Sequence, residues 1–388
     1  MINTFPLFAM ALVLLLPTNA SVVSAQQPAP AAAPAAAPAA APAAAPAADP
    51  RIGKKIIVSR AGAEMRTPDG VVWRGYLGEV FTVLLTNGEW LWINEKGGWL
   101  WEKEAVFYDT AIQELTARVK KSNSAEDYHL RGVAYLAHLE YDKAIADFSE
   151  SLRTSPRNPG ALNNRGQANY LKGDYRAAMV DFSAAILMDP KNFLAINNRA
   201  LAYIETEEYK LALNDLQSAL TLVPEYPEAL NNRGIVHQKL NKLDESIADF
   251  TAALKIDPKY TDALGNRAYT WQLKKDFPRA IADLEMAMKL SPTSFEATND
   301  LAWLLATTPE DSIRSPARAL ELAKKACEIS GYQQWNTLDT LAAAHAENGE
   351  FDKATEWLGT AIANAPEKEK ARLQSHLDLV TAKMPIRQ

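Results

Sequence analysis

The 388-residue sequence holds a single cysteine, Cys327, so no intrachain disulfide, CxxC zinc site or iron–sulfur cluster can be assembled within it. Its five histidines (His129, His138, His237, His345 and His376) are scattered, and HExxH, GxSxG, GxGxxG and GxxxxGK[ST] patterns are absent. Basic charge is also short. There are 41 Lys and Arg against 47 Asp and Glu, for a net charge of -6, without the basic excess of a dedicated nucleic-acid binder. No apolar run reaches the length of about 20 residues that a bilayer span requires. These absences speak against a familiar catalytic centre. No cofactor, metal, nucleic acid or integral membrane span is expected of the mature chain. What is present in quantity is apolar surface, 48% of residues, enough for real cores.

The longest apolar run, residues 6–17 (PLFAMALVLLLP), has the length of the hydrophobic region of a secretory signal. Val23-Ser24-Ala25 places small residues where a signal peptidase reads, and Gln26 follows. No Lys or Arg precedes the run, which departs from the usual signal. Residues 1–25 are therefore expected to be a signal peptide cleaved near Ala25, giving an exported protein of the periplasm or cell envelope. Residues 26–50 form an Ala/Pro-rich linker in which Pro30, Pro34, Pro38, Pro42 and Pro46 recur every four residues. Proline lacks an N–H and blocks a regular helix, so the segment reads as a polyproline spacer or a disordered tail. A spacer of this length would reach roughly 70 Å at about 3.1 Å per residue.

From 51 to 108 the pattern changes to short strands, expected near 55–59, 71–76, 79–85, 89–94 and 98–102. Pro68-Asp69-Gly70, Thr86-Asn87-Gly88 and Lys96-Gly97-Gly98 supply turns between them. Five strands in so short a segment suggest a small barrel. The run Gly88-Glu89-Trp90-Leu91-Trp92-Ile93, followed by Gly98-Trp99-Leu100, resembles bacterial SH3-like domains. Trp73, Trp90, Trp92, Trp99 and Trp101 make five of the nine tryptophans of the chain. Alternation puts Trp90 and Trp92 on one face and Leu91 and Ile93 on the other. If the Leu/Ile side fills the interior, Trp90, Trp92, Trp99 and Trp101 form an outer patch, a candidate ligand site. The resemblance makes a cell-wall peptide one candidate. The alternative is that these rings complete the core or dock on the neighbouring domain.

The rest of the chain repeats every 34 residues. Pro156, Pro190, Pro224, Pro258 and Pro292 mark the period. In register stand Gly132, Gly166, Ala200, Gly234 and Ala268, then Ala144, Ala178, Ala212, Ser246 and Ala280, then Phe148, Phe182, Leu216, Phe250 and Leu284. Small residues let two helices approach, a bulky one fills the gap, and proline ends the pair. This pattern resembles the tetratricopeptide repeat family. The expected fold is mostly α: an α-solenoid of about seven helix-turn-helix repeats (near 125–158, 159–192, 193–226, 227–260, 261–294, 295–333 and 335–368) preceded by the small SH3-like barrel. A connecting helix is expected over 109–123, the solenoid over 124–366, and a C-terminal capping helix and tail over 367–388. Cys327 lies on an apolar helical stripe and reads as an inert buried thiol.

Two further columns switch together. Arg131, Arg165, Arg199, Arg233 and Arg267 precede the small residue of the first helix, and Asp147, Asp181, Asp215, Asp249 and Asp283 precede the bulky residue of the second. The sixth unit has Leu301 and Leu322 instead, and the seventh Leu341 and Trp357. Concerted loss of both charges points to partly buried Arg–Asp bridges with a structural role. A third column is amide: Asn164, Asn198, Asn232 and Asn266, with Asp300 next, and Asn163, Asn197, Asn231 and Asn299 beside them. By the resemblance, the first helices line a concave groove where such asparagines can hold an extended peptide. Asparagine also makes local hydrogen bonds, and that alternative stays open. Glu228, Asp262, Glu296, Tyr170, Tyr269 and Trp303 fall along the same groove, so a neutral or basic protein or peptide partner is expected. The function this implies is an exported non-enzymatic scaffold. The alternative is a wall-associated module in which the β domain binds and the repeats are a spacer.

Overall fold

A computed structural model describes residues 49–59, 63–67, 70–74, 80–93 and 97–387, the side chains of 73 and 74 excepted. The expected signal peptide, nearly all of the linker and parts of two expected β turns lie outside these residues. The chain divides after Pro224 into two compact units.

The N-terminal unit begins with seven strands: β1 Lys55–Val58, β2 Glu64–Thr67, β3 Gly70–Arg74, β4 Val80–Asn87, β5 Trp90–Ile93, β6 Gly98–Trp101 and β7 Ala105–Phe107. They pair antiparallel in the order β3-β2-β6-β5-β4-β1-β7. Two of them, β2 and β7, go beyond the five expected. Each is only three or four residues long, too short to show alternation in the sequence. Ile56, Val58, Met65, Phe81, Val83, Leu91, Ile93 and Leu100 form one core cluster. The other side of β1 and β7 turns to the helices. Ile57 and Val106 pack with Ala111 and Leu115 of α1 (Ala111–Ser122) and with Leu130 and Val133 of α2 (Ala125–Ala137). The Tyr108 hydroxyl donates to the Ala137 carbonyl at 2.5 Å, and its ring stacks on His138 at 4.4 Å. The sheet and the first helix pair thus share a core.

Helix pairs then follow: α2 with α3 (Tyr141–Thr154), α4 (Pro159–Lys172) with α5 (Tyr175–Met188), and α6 (Phe193–Glu205) with α7 (Tyr209–Leu222). The C-terminal unit continues the same plan with α8 (Pro227–Lys239) and α9 (Leu243–Ile256), α10 (Thr261–Leu273) and α11 (Phe277–Leu290), α12 (Glu296–Thr307) and α13 (Pro316–Ile329), and α14 (Trp335–Glu347) and α15 (Phe351–Asn364). A last helix, α16 (Glu367–Thr381), buries Leu373 and Val380 against the end of this unit. Arg372 and His376 of α16 both reach Asp339 of α14, at 3.3 and 2.8 Å.

The sequence explains where the helices start and how closely they pack. Ser124, Asn158 and Asn192 accept the backbone N–H three residues on and so cap α2, α4 and α6. Pro159, Pro227 and Pro316 stand in the first turn, where a missing N–H is harmless. A Cβ on Gly132, Gly166 or Gly234 would lie 2.7 Å from the ring of Phe148, Phe182 or Phe250. Where the small residue is Ala200 or Ala268, the facing residue is the less bulky Leu216 or Leu284. Each helix pair therefore keeps its contact volume through two compensating positions. Among the described residues no helix is long and apolar enough to cross a membrane.

Candidate partner-binding surface

The charged columns close on each other. Each arginine of the first helix grips the aspartate of its own second helix through Nε and Nη2 at 2.6–2.9 Å: Arg131–Asp147, Arg165–Asp181, Arg199–Asp215, Arg233–Asp249 and Arg267–Asp283. The aspartates are buried and the arginine side chains are mostly so. In three of them Nη1 reaches back to the preceding pair. Arg165 donates to Ser149 at 3.1 Å, Arg199 to Ser183 at 3.1 Å and Arg267 to Thr251 at 3.0 Å. The hydroxyls are a 34-residue column that sequence reasoning passed over. Leu301, Leu322 and Leu341 take the vacated places as buried apolar residues.

The asparagines require a correction. Asn163, Asn164, Asn197, Asn231, Asn232, Asn266 and Asn299 are all under 9% exposed, which leaves almost no surface for a ligand. Asn198 is partly exposed, but its Nδ2 donates to Asn163 Oδ1 at 3.1 Å. Asn266 repeats the bond to Asn231 at 3.0 Å, and Asn164 donates to His129 Nε2 at 3.2 Å. A rung therefore joins one first helix to the next, 35 residues apart, and the amides fix repeat to repeat. Burial keeps the His129 imidazole neutral, its pKa pushed down to about 4, so it accepts this bond. Trp303 is likewise buried, at 5% exposure, and leaves the contact surface. The expected outer tryptophan patch is also smaller than four. β5 and β6 pair Trp90 with Trp101 and Trp92 with Trp99, but Trp99 is fully buried with its ring edge-on to Trp92 at 5.2 Å. Trp90, Trp92 and Trp101 remain partly exposed, with Leu91, Ile93 and Leu100 inside. Cys327 is buried and its thiol is pushed up to about 11, an unreactive state.

What stays partly exposed on the first helices is aromatic and acidic. Tyr170, Tyr269, Glu228, Asp262, Glu296 and Asp300 all retain surface. Burial raises the Glu228 carboxyl above the usual range, and Asp257 adds to the effect. Burial and the neighbouring Glu296 push Asp262 up to about 6. Asp300 rises further, to about 7, through burial and Glu296, with an opposing hydrogen bond from Asn299. The amide ladder stops here: Gly265 offers no acceptor in the rung position and Asp300 offers no donor.

Residues 129–193 and 227–260 match models described as tetratricopeptide repeat, and 201–241 one described as TPR repeat. The helix pairs within these residues match tetratricopeptide repeats. Solved structures agree on the fold. A tetratricopeptide repeat protein from Parabacteroides merdae is 20% identical, with 67% of this chain and 100% of that one covered and a TM-score of 0.52. The Cut9–Hcn1 hetero-tetramer of the APC/C gives 19% identity, coverage of 61% and 46%, and a TM-score of 0.54. Yeast Tom70 gives 16%, coverage of 71% and 59%, and a TM-score of 0.55. The chain thus spans less than half of the Cut9–Hcn1 chain it matches. No curated protein matches the sequence. Tetratricopeptide repeat proteins generally mediate protein–protein interactions as scaffolds and are typically non-enzymatic.

Proposed function

We infer that the chain is an exported, non-enzymatic scaffold that binds protein or peptide partners on the first helices of its repeats. The observation that carries this is the contrast on those helices. The arginines and the amides from Asn164 to Asn266 turn inward into bonds within and between repeats, while Tyr170, Tyr269 and the acids keep surface. Export to the periplasm or cell envelope rests on the apolar run of residues 6–17 and the small residues at Val23-Ser24-Ala25. N-terminal sequencing of native protein tests it, with Gln26 expected as the first residue.

A second reading has one observation in its favour. Trp90, Trp92 and Trp101 leave partly exposed rings on the outer face of the sheet, and if the β domain is SH3-like, a cell-wall peptide suits that face. Affinity capture with the full chain separates the two. If the first helices bind, replacing Tyr170 and Tyr269 by Ala removes the captured proteins, and replacing Trp90 and Trp101 by Ala leaves them bound. The opposite pattern assigns binding to the sheet.

A further inference from the structure

Glu228, Asp262 and Glu296 hold one position in the first turns of α8, α10 and α12, spaced by 34 residues. First-turn acids complement the helix dipole. That accounts for a solvated acid, not for one sunk beside other acids. It does not reach Asp300, which lies beyond the first turn of α12. The 34-residue register sets the acids in a row, and they feel one another's charge: Glu228 and Asp262 both raise the Tyr260 hydroxyl, and Glu296 raises both Asp262 and Asp300. Among the described residues none of the four carboxylates has an ion-pair partner, whereas Asp249 and Asp283 in the same unit are each clasped by arginine. The Ser294 hydroxyl donates to Glu296, and Asn299 Nδ2 donates to Asp300 at 3.4 Å.

A second, independent observation lies at the end of the row. Asn299 is 6% exposed, and its Oδ1 has no hydrogen-bond donor among the described residues. A buried carbonyl without a donor is a costly arrangement. The N–H of the same carboxamide is spent on Asp300, so an unpartnered neutral acceptor sits beside the acid at the end of the row.

We propose that this row docks an extended, cationic segment of a partner protein that carries Lys or Arg at every third residue. The proposal rests on the reading of the first-helix face as the partner-binding one. Successive first helices α8 and α10 touch, and packed helices stand about 8–10 Å apart. In the extended polyproline II form three residues make one turn, advance about 9 Å and return the side chain to the same face. One cation per triplet therefore meets one carboxylate per repeat. A single bound metal ion does not answer the same demand, since among the described residues no set of His, Cys, Asp and Glu is arranged to hold one.

Fluorescence anisotropy with the full chain tests the spacing directly. The probe is a labelled peptide of Lys-Ala-Ala triplets, set against an isomer with the same lysines clustered. The triplet peptide is expected to bind roughly tenfold tighter, a difference of about 1.4 kcal/mol. Asp262→Asn with Glu296→Gln should abolish that preference while the chain keeps its helical circular dichroism. Equal affinity for the two isomers overturns the proposal without needing any variant to fold, and so does a preference that survives the two substitutions. If neither peptide binds but Tyr170→Ala with Tyr269→Ala still strips captured partners, the first-helix face stands as a binding surface and the cationic strip does not.

Discussion

The first helices of the two units follow one template and diverge at chosen positions. In the N-terminal unit the place filled by Glu228, Asp262 and Glu296 holds Glu126, Gly160 and Leu194. There the amide rungs run unbroken from Asn164 to His129 and from Asn198 to Asn163. In the C-terminal unit one rung, Asn266 to Asn231, gives way to Gly265 and Asp300, and a carboxylate row follows. What the fold requires recurs in both units: the Gly/Phe or Ala/Leu contact, the Arg–Asp bridge and its backward bond to a hydroxyl. What the fold does not require is where the units differ, and the difference is a set of acids without counter-ions among the described residues. Repeats stabilise each other through shared interfaces, so a surface position can change in one unit while the template holds.

The largest expected effect tests the shared template. Arg199→Ala leaves Asp215 buried without its partner; breaking a buried pair costs about 3–5 kcal/mol, less to the extent that the pair meets solvent. Changing Arg199 and Asp215 together to Leu should cost less than either single change, as Leu301 and Leu322 already occupy this place in the sixth repeat. Additive losses in a double-mutant cycle by urea unfolding would show that the two do not interact. Next is the volume rule. Gly166→Ala puts a methyl 2.7 Å from Phe182 and should cost about 1–3 kcal/mol. Adding Phe182→Leu should restore part of the loss; no recovery would mean that Gly166 is held for another reason.

The divergent face gives an effect of opposite sign. The folded pKa of Asp300 is about 7 against an ordinary 3.8. The folded state therefore binds the proton more tightly than the unfolded one. The stability this contributes is full below pH 4 and is lost as pH rises toward 7. Asp300→Asn should match the parent near pH 4 and exceed it at pH 8 by at most about 4 kcal/mol, roughly three pKa units at about 1.4 kcal/mol each, and by less to the extent that the carboxyl meets solvent. A variant less stable than the parent at pH 8 would assign Asp300 to the template. The smallest effect concerns the turn inside each pair. Leu139, Glu207, Asn241 and Lys275 take a positive φ near 60°, in the place where Gly173 stands. Lys275→Gly should raise stability by about 1 kcal/mol or less, read from the urea midpoint.

The template was legible because five successive units repeat it, and because Arg and Asp are lost together at Leu301 and Leu322. The direction of the asparagines was not. Each bond runs between neighbouring first helices, Asn198 to Asn163 for example, and a column shows only which residues are equivalent, not which of two faces they point to. Burial of Trp99 was hidden for a related reason. Strand alternation assigns it a side of the sheet but says nothing of what lies over that side. The short strands β2 and β7 are held by their neighbours more than by their own pattern. The backward reach of Arg165 to Ser149 was present in the sequence as a periodic hydroxyl, interrupted at Gln217, and needed the arginine geometry to acquire meaning.

The central claim is that the fold tolerates the carboxylate row of α8, α10 and α12 rather than requiring it, and that a cationic partner completes it. Thermal melting of the full chain and of the Glu228→Gln, Asp262→Asn, Glu296→Gln variant, each with and without the Lys-Ala-Ala peptide, tests this most directly. The account predicts that the variant alone melts above the parent, because like charges have been removed from partly buried sites, and that the peptide raises the melting temperature of the parent only. A variant that melts below the parent, or one stabilised by the peptide as much as the parent is, would contradict it.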